Sequence, residues 1–130
     1  MASENDTPSI EQQFSESWNE VEQFYTPFFA WPDWQYLNPI LTLIGDLRRR
    51  GYDKQFRAGQ SLVRFVLSCS KEWGLRQDQA FLSFDLHPEG GLTVTYYEPL
   101  KPFIELKLDH PEVNSDVEQL FLRLLTHPID

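Results

Sequence analysis

The side chains best suited to acid–base or metal chemistry are three histidines, each followed by proline: His87-Pro88, His110-Pro111 and His127-Pro128. Asp85 and Asp109 lie beside two of them, and imidazole with carboxylate can hold a metal or move a proton. The spacing matches no zinc or catalytic signature, and no short element gathers three ligands. A His-Pro pair at the end of an element reads more simply as turn chemistry. The single cysteine, Cys69, sits among apolar neighbours that favour a neutral, inert thiol. No serine stands in a Gly-x-Ser-x-Gly elbow. The doublet Gly90-Gly91 falls between two strand patterns, not in a phosphate-binding loop. These residues give no support to an enzyme, and no metal or cofactor is expected.

Recognition is better supplied. Lys54, Arg57, Ser61, Arg64, Ser68 and Lys71 recur at alternating steps of three and four, and Leu62, Phe65, Val66, Cys69 and Trp73 recur at i, i+3, i+4, i+7 and i+11 on the opposite side. That spacing predicts one central helix over Lys54–Gly74, with Asp53 as its N-cap, Gly74 as a left-handed C-cap and a polar stripe opposite an apolar face. Two fates fit the stripe of Arg57, Arg64 and Lys71. It can pair with Glu11, Glu16, Glu20 and Glu22 of a preceding helix, or it can join Arg48-Arg49-Arg50 in docking an acidic segment or a phosphorylated ligand. A second candidate is Phe28–Tyr36, where five of nine residues are aromatic and the prolines forbid a long helix. It closes one end of the core as a plug, or it offers Trp31, Trp34 and Tyr36 as the wall of a pocket or partner groove.

The elements that position these groups follow from periodicity. Thr7 and Pro8 begin a helix whose stripe is Ile10, Phe14, Trp18, Val21 and Tyr25, and Pro27 ends it. Asn38-Pro39 begins another through about Arg50, with Ile40, Leu43, Ile44 and Leu47 inward and Gly51 closing it. Beyond Gly74 the period changes to two. Leu82, Phe84 and Leu86 alternate with Phe81, Ser83 and Asp85, and Leu92, Val94 and Tyr96 alternate with Thr93, Thr95 and Tyr97. Matching the apolar faces sets Leu86 opposite Leu92 and Leu82 opposite Tyr96, which leaves Pro88-Glu89-Gly90 as the turn. A third strand, Phe103–Leu108, pairs Ile104 with Tyr96. Its outward side completes a row of Phe81, Tyr97 and Phe103, followed by rows of Ser83, Thr95, Glu105 and of Asp85, Thr93, Lys107. Ser115 and Glu118 form a capping box for a last helix with Val117, Leu120, Phe121 and Leu124 inward.

The expected fold is α+β, a three-stranded antiparallel β-meander packed against helices in the order α-α-α-β-β-β-α, with residues 1–7 a flexible tail and 8–130 one domain. A chain of 130 residues with ten Phe, five Tyr and four Trp can bury a real core, despite a net charge of −9. Charge is segregated: residues 1–47 hold eight acids and no Lys or Arg, residues 48–76 eight bases and two acids, residues 77–130 ten acids and three bases. The acidic balance argues against nucleic acid and anionic membranes as partners. An aromatic sheet face could stack bases, but Asp85 and Glu105 would repel phosphate. A lone buried thiol, no leader pattern and no long apolar run point to a cytoplasmic protein. The functional expectation is a non-catalytic protein-interaction or regulatory module for a basic protein partner, anchored by the Trp-rich segment or the outer aromatic row. Homodimerisation through the outer sheet face is an alternative use of that row. A small-molecule-binding domain or modest enzyme with a pocket near Trp31 and Trp34 is the alternative function.

Overall fold

The structure, a computed structural model, describes residues 8–72 and 78–130. Its first helix, α1, is Ile10–Tyr25. The cap is Ser9, whose hydroxyl accepts the Gln12 amide at 3.1 Å while the Gln12 side chain accepts the Ser9 amide at 2.8 Å. This reciprocal box supersedes the expected Thr7-Pro8 start by satisfying two otherwise unpaired amides. Thr7 and the expected tail lie outside the described residues. Two 3-10 turns follow, Thr26–Ala30 and Pro32–Leu37, each with proline near its start. Helix α2, Pro39–Arg49, ends before Gly51, whose φ of 87° is readily reached without a Cβ.

The expected central helix is absent. A 3-10 turn, Tyr52–Lys54, leads into β1, Arg57–Ser61, and β2, Arg64–Ser68, which form an antiparallel hairpin. Two features disguise it. Six consecutive residues, Phe65 to Ser70, are buried, so apolar spacing no longer reports one helical face. The turn, Leu62-Val63, also lacks the Asn or Gly that normally supplies the positive φ of a two-residue hairpin. Leu62 adopts φ 57° and is 80% exposed, opposite to its expected place in the core. Tyr25, at the end of α1, donates its hydroxyl to the Val63 carbonyl at 2.9 Å and so holds this turn from outside. Asp53 caps no helix and instead accepts from Arg48. The C-cap expected at Gly74 lies outside the described residues, as does Trp73.

Among the described residues the fold is therefore α+β with five strands in place of three, and two α-helices precede the sheet in place of three. Strands β3 (Phe81–Leu86), β4 (Leu92–Tyr97) and β5 (Ile104–Leu108) complete an antiparallel sheet in the order β1-β2-β3-β4-β5. Their register is the expected one, with Leu86 opposite Leu92, Leu82 opposite Tyr96 and Tyr96 opposite Ile104. The turn uses two left-handed glycines, Gly90 at φ 101° and Gly91 at φ 93°. Helix α3, Ser115–Leu125, is capped by Asn114, whose side chain accepts the Val117 amide at 2.9 Å. The cap thus lies one residue before the expected Ser115.

The core lies between the helices and the inward sheet face. Trp18 meets Phe65 edge-on at 5.3 Å, and Tyr52 stacks on Phe121 at 4.4 Å. Burial of each such side chain contributes roughly 1.5–3 kcal/mol. Helix α1 also closes the open edge of β1: Trp18 Nε1 donates to the Phe56 carbonyl at 2.9 Å, and the Ala58 amide donates to Ser17 Oγ at 2.9 Å. These bonds occupy backbone groups that a foreign strand could otherwise claim. Among the described residues no helix is long and apolar enough to cross a membrane.

Candidate binding surfaces

The alternation that turns Leu82, Phe84, Val94 and Tyr96 inward turns Phe81, Ser83, Thr95 and Tyr97 outward. Register then brings the expected aromatic row together. Phe81 and Tyr97 stack at 4.8 Å, and Tyr97 and Phe103 approach to 5.8 Å. Phe103, just before β5, is 67% exposed. The rows of Ser83, Thr95, Glu105 and of Asp85, Thr93, Lys107 lie beyond it as expected. Arg64 reaches this face from β2, with Nε 3.8 Å from Asp85. His87 Nε2 lies 2.7 Å from Thr93 Oγ1 at the far end. Together these side chains line a concavity of about 680 Å³.

The Phe28–Tyr36 segment is organised by ring contacts. Phe24 meets Phe28 at 5.4 Å, Phe28 meets Trp34 at 5.3 Å, and Trp34 meets Tyr36 at 5.9 Å. The Gln35 amide donates to the carbonyls of Phe29 and Trp31, which draws the two 3-10 turns together. Trp34 and Tyr36 are half-buried against the core, whereas Trp31 is 61% exposed. Trp34 thus packs inward on Phe28 and Tyr36, while Trp31 stands in solvent.

The expected basic stripe is dispersed: Arg57, opposite Ser68, and Arg64, opposite Ser61, share one side of the sheet but stand at opposite ends of the β1–β2 hairpin. Arg64 joins the outer sheet face, while Arg57 and Lys71 border a cleft of about 700 Å³ beside α1. Arg57 is buried; its Nε donates to the Ser70 carbonyl at 2.9 Å and its Nη2 to the Lys71 carbonyl. Its guanidinium also lies 5.5 Å from the Phe14 ring centre. Burial pulls the Arg57 pKa down, against the opposing pull of Glu20 and Glu72. The Arg48–Arg50 triplet is engaged internally. Arg48 bonds Glu22 and Asn19 at 2.8 Å and Asp53 at 3.3 Å, Arg49 pairs with Asp46, and Arg50 pairs with Glu118 at 2.8 Å.

Comparison with protein-family models, with characterised proteins and with solved structures gives no match. Function has to be read from the surfaces themselves.

A further cluster escaped the sequence reading. Glu98 accepts from Tyr96 Oη at 2.8 Å and lies 3.3 Å from His127 Nε2 and 3.7 Å from Arg123 Nε, with Lys101 as a fourth partner. The Lys101 bond, then the Tyr96 bond, hold the Glu98 carboxyl down at about 2. Burial and the Glu98 bond push the Tyr96 phenol above its ordinary value. Nothing local links Glu98 to His127, which stands 29 residues further along. The only available signal was the shared strand parity of Tyr96 and Glu98. Nearby, burial pushes the Cys69 thiol up to about 11, so it is neutral and unsuited to nucleophilic attack at neutral pH. Among the described residues no group of three His, Cys, Asp or Glu could hold a metal ion.

Proposed function

We propose that this chain is a non-catalytic binding module whose concave outer sheet face takes a basic segment of a partner protein. The observation that carries this reading is the stacked row Phe81–Tyr97–Phe103, ending in a ring that is 67% exposed. Rings presented on a rigid sheet make anchors with little entropy left to lose on binding. Their faces attract Arg and Lys side chains. Glu89, Glu105 and Asp85 outnumber Arg64 and Lys107 around the same concavity, and the net charge of −9 attracts cationic partners to the molecule. That charge also disfavours a second copy of the chain as the occupant.

The test is fluorescence anisotropy with labelled extended peptides rich in Arg and aromatic residues, at low and high salt. The wild type should bind saturably and lose affinity with salt. Phe103→Ala should weaken binding by about tenfold or more, as truncation of an anchor residue does. Trp31→Ala should bind like the wild type. A folded Phe103→Ala variant that binds normally would remove the outer face as the site. Concentration-dependent sedimentation abolished by Phe103→Ala would assign the face to self-association instead.

A further inference from the structure

The cleft beside α1 is separate from the outer sheet face, and its electrostatics are unusual. Arg57 is 8% exposed, and its position is fixed by two backbone carbonyls and the Phe14 ring. A guanidinium has five N–H donors. Nε and Nη2 are engaged, while Nη1 has no protein partner among the described residues. Nor does any carboxylate of those residues form an ion pair with it; Glu20 and Glu72 act on it only at longer range. Nη1 is not among the buried unpartnered atoms of the described residues, so this end of the guanidinium is open to solvent, and a ligand carboxylate is the group that matches it.

The lining also carries the reverse sign. Glu16 and Glu20 line the cleft from α1, and Glu72 and Lys71 line it with Arg57. A simple anion would gain Arg57 and Lys71 but meet three carboxylates. A ligand carrying both charges satisfies both sets of groups. The volume of about 700 Å³ lies within the range of small-molecule sites. We infer that this cleft binds a small zwitterion of the amino-acid or short-peptide class, its carboxylate on Arg57 and its ammonium toward Glu16 and Glu20.

The test is an NMR titration of the full ¹⁵N-labelled chain with three probes: glycylglycine, N-acetylglycylglycine and glycylglycinamide. At about 10 mM, enough to saturate any site of millimolar affinity, glycylglycine should shift the amides of Gln12–Glu20 and Arg57 saturably. The two singly charged probes should bind about tenfold more weakly, the scale of one lost charge-assisted hydrogen bond. Arg57→Lys should abolish the glycylglycine shifts, but it also disturbs the Ser70 and Lys71 carbonyls. A Glu16→Gln, Glu20→Gln double variant leaves those bonds intact and should reverse the preference, weakening glycylglycine and strengthening the N-acetyl probe. Absence of saturable shifts with every probe, or an unchanged preference in the double variant, would overturn the inference.

Discussion

Replacement of Ser17 by Ala tests whether α1 is anchored to the sheet edge by specific hydrogen bonds or only by apolar contact. The Ser17 hydroxyl accepts the Ala58 amide at 2.9 Å, and Ser17 is 2% exposed. Alanine fits the same helical position but leaves a buried N–H with no acceptor, a loss of about 1–3 kcal/mol. The better intrinsic helix propensity of Ala returns a few tenths of a kcal/mol. Trp18→Phe probes the neighbouring bond, from Nε1 to the Phe56 carbonyl at 2.9 Å. It should cost about 2–4 kcal/mol, since the orphaned carbonyl is joined by a cavity term of about 1 kcal/mol for the missing ring volume. Glu11→Ala, at an exposed site on the same helix, should stay within about 0.5 kcal/mol of the wild type. Urea unfolding followed by far-UV circular dichroism reads all three as shifts in midpoint at constant slope. If Ser17→Ala unfolds within about 0.5 kcal/mol of the wild type, the Ser17 bond is not a net anchor and the edge argument fails.

Other outcomes follow from the same geometry. Gly91→Ala should destabilise more than Gly90→Ala: both sites have positive φ, but a Cβ at Gly91 would stand 2.8 Å from the Leu108 carbonyl oxygen, whereas at Gly90 nothing lies within 4 Å. Each pays about 1–2 kcal/mol for the left-handed backbone, and Gly91→Ala should exceed that range in thermal unfolding. Carbon-detected NMR should place the Glu98 carboxyl at about 2, below its ordinary 4.5. A depressed carboxylate stabilises the fold above its unfolded pKa and loses that contribution as pH falls through the folded one. The stability gap between wild type and Glu98→Gln should therefore be full above about pH 4.5 and close toward pH 2, as urea unfolding at several pH values would show. Ellman's reagent should modify Cys69 slowly in the folded protein near neutral pH and rapidly in denaturant, because the thiol is 3% exposed and held neutral to about 11.

The two halves of the sheet differ in how openly the sequence declares them. In β3 and β4 one face is buried and the other half-exposed, so Leu82, Phe84 and Leu86 alternate cleanly and the register follows from matching apolar partners. Pro88 and Gly90 mark the turn between them. In β2 both faces are buried, so alternation disappears and an accidental helical spacing takes its place. The Leu62-Val63 turn carries no punctuating residue; its conformation is held by Tyr25 from 38 positions away. The outer aromatic row was legible because register alone places Phe81 beside Tyr97. The Arg57 cleft and the Glu98 cluster were not, because each depends on tertiary closure between distant segments.

The sheet order equals the chain order, and that bears on how the molecule assembles. Every strand pairs with its immediate successor, so each pairing closes a local loop, the longest being residues 69–80 between β2 and β3, at modest entropic cost. The helices close over longer spans: the bonds of α1 at the β1 edge span 38 and 41 residues, and those of α3 to Cys69 and Arg50 span 55 and 68. A nucleus can therefore form within the meander while the first helix is still undocked. In that interval the Phe56 carbonyl and the Ala58 amide stand open to pairing with another chain. Docking of α1 thus guards against misassembly as well as stabilising the fold, and weakening it would raise the yield of intertwined or aggregated species during refolding more than the loss of equilibrium stability alone implies.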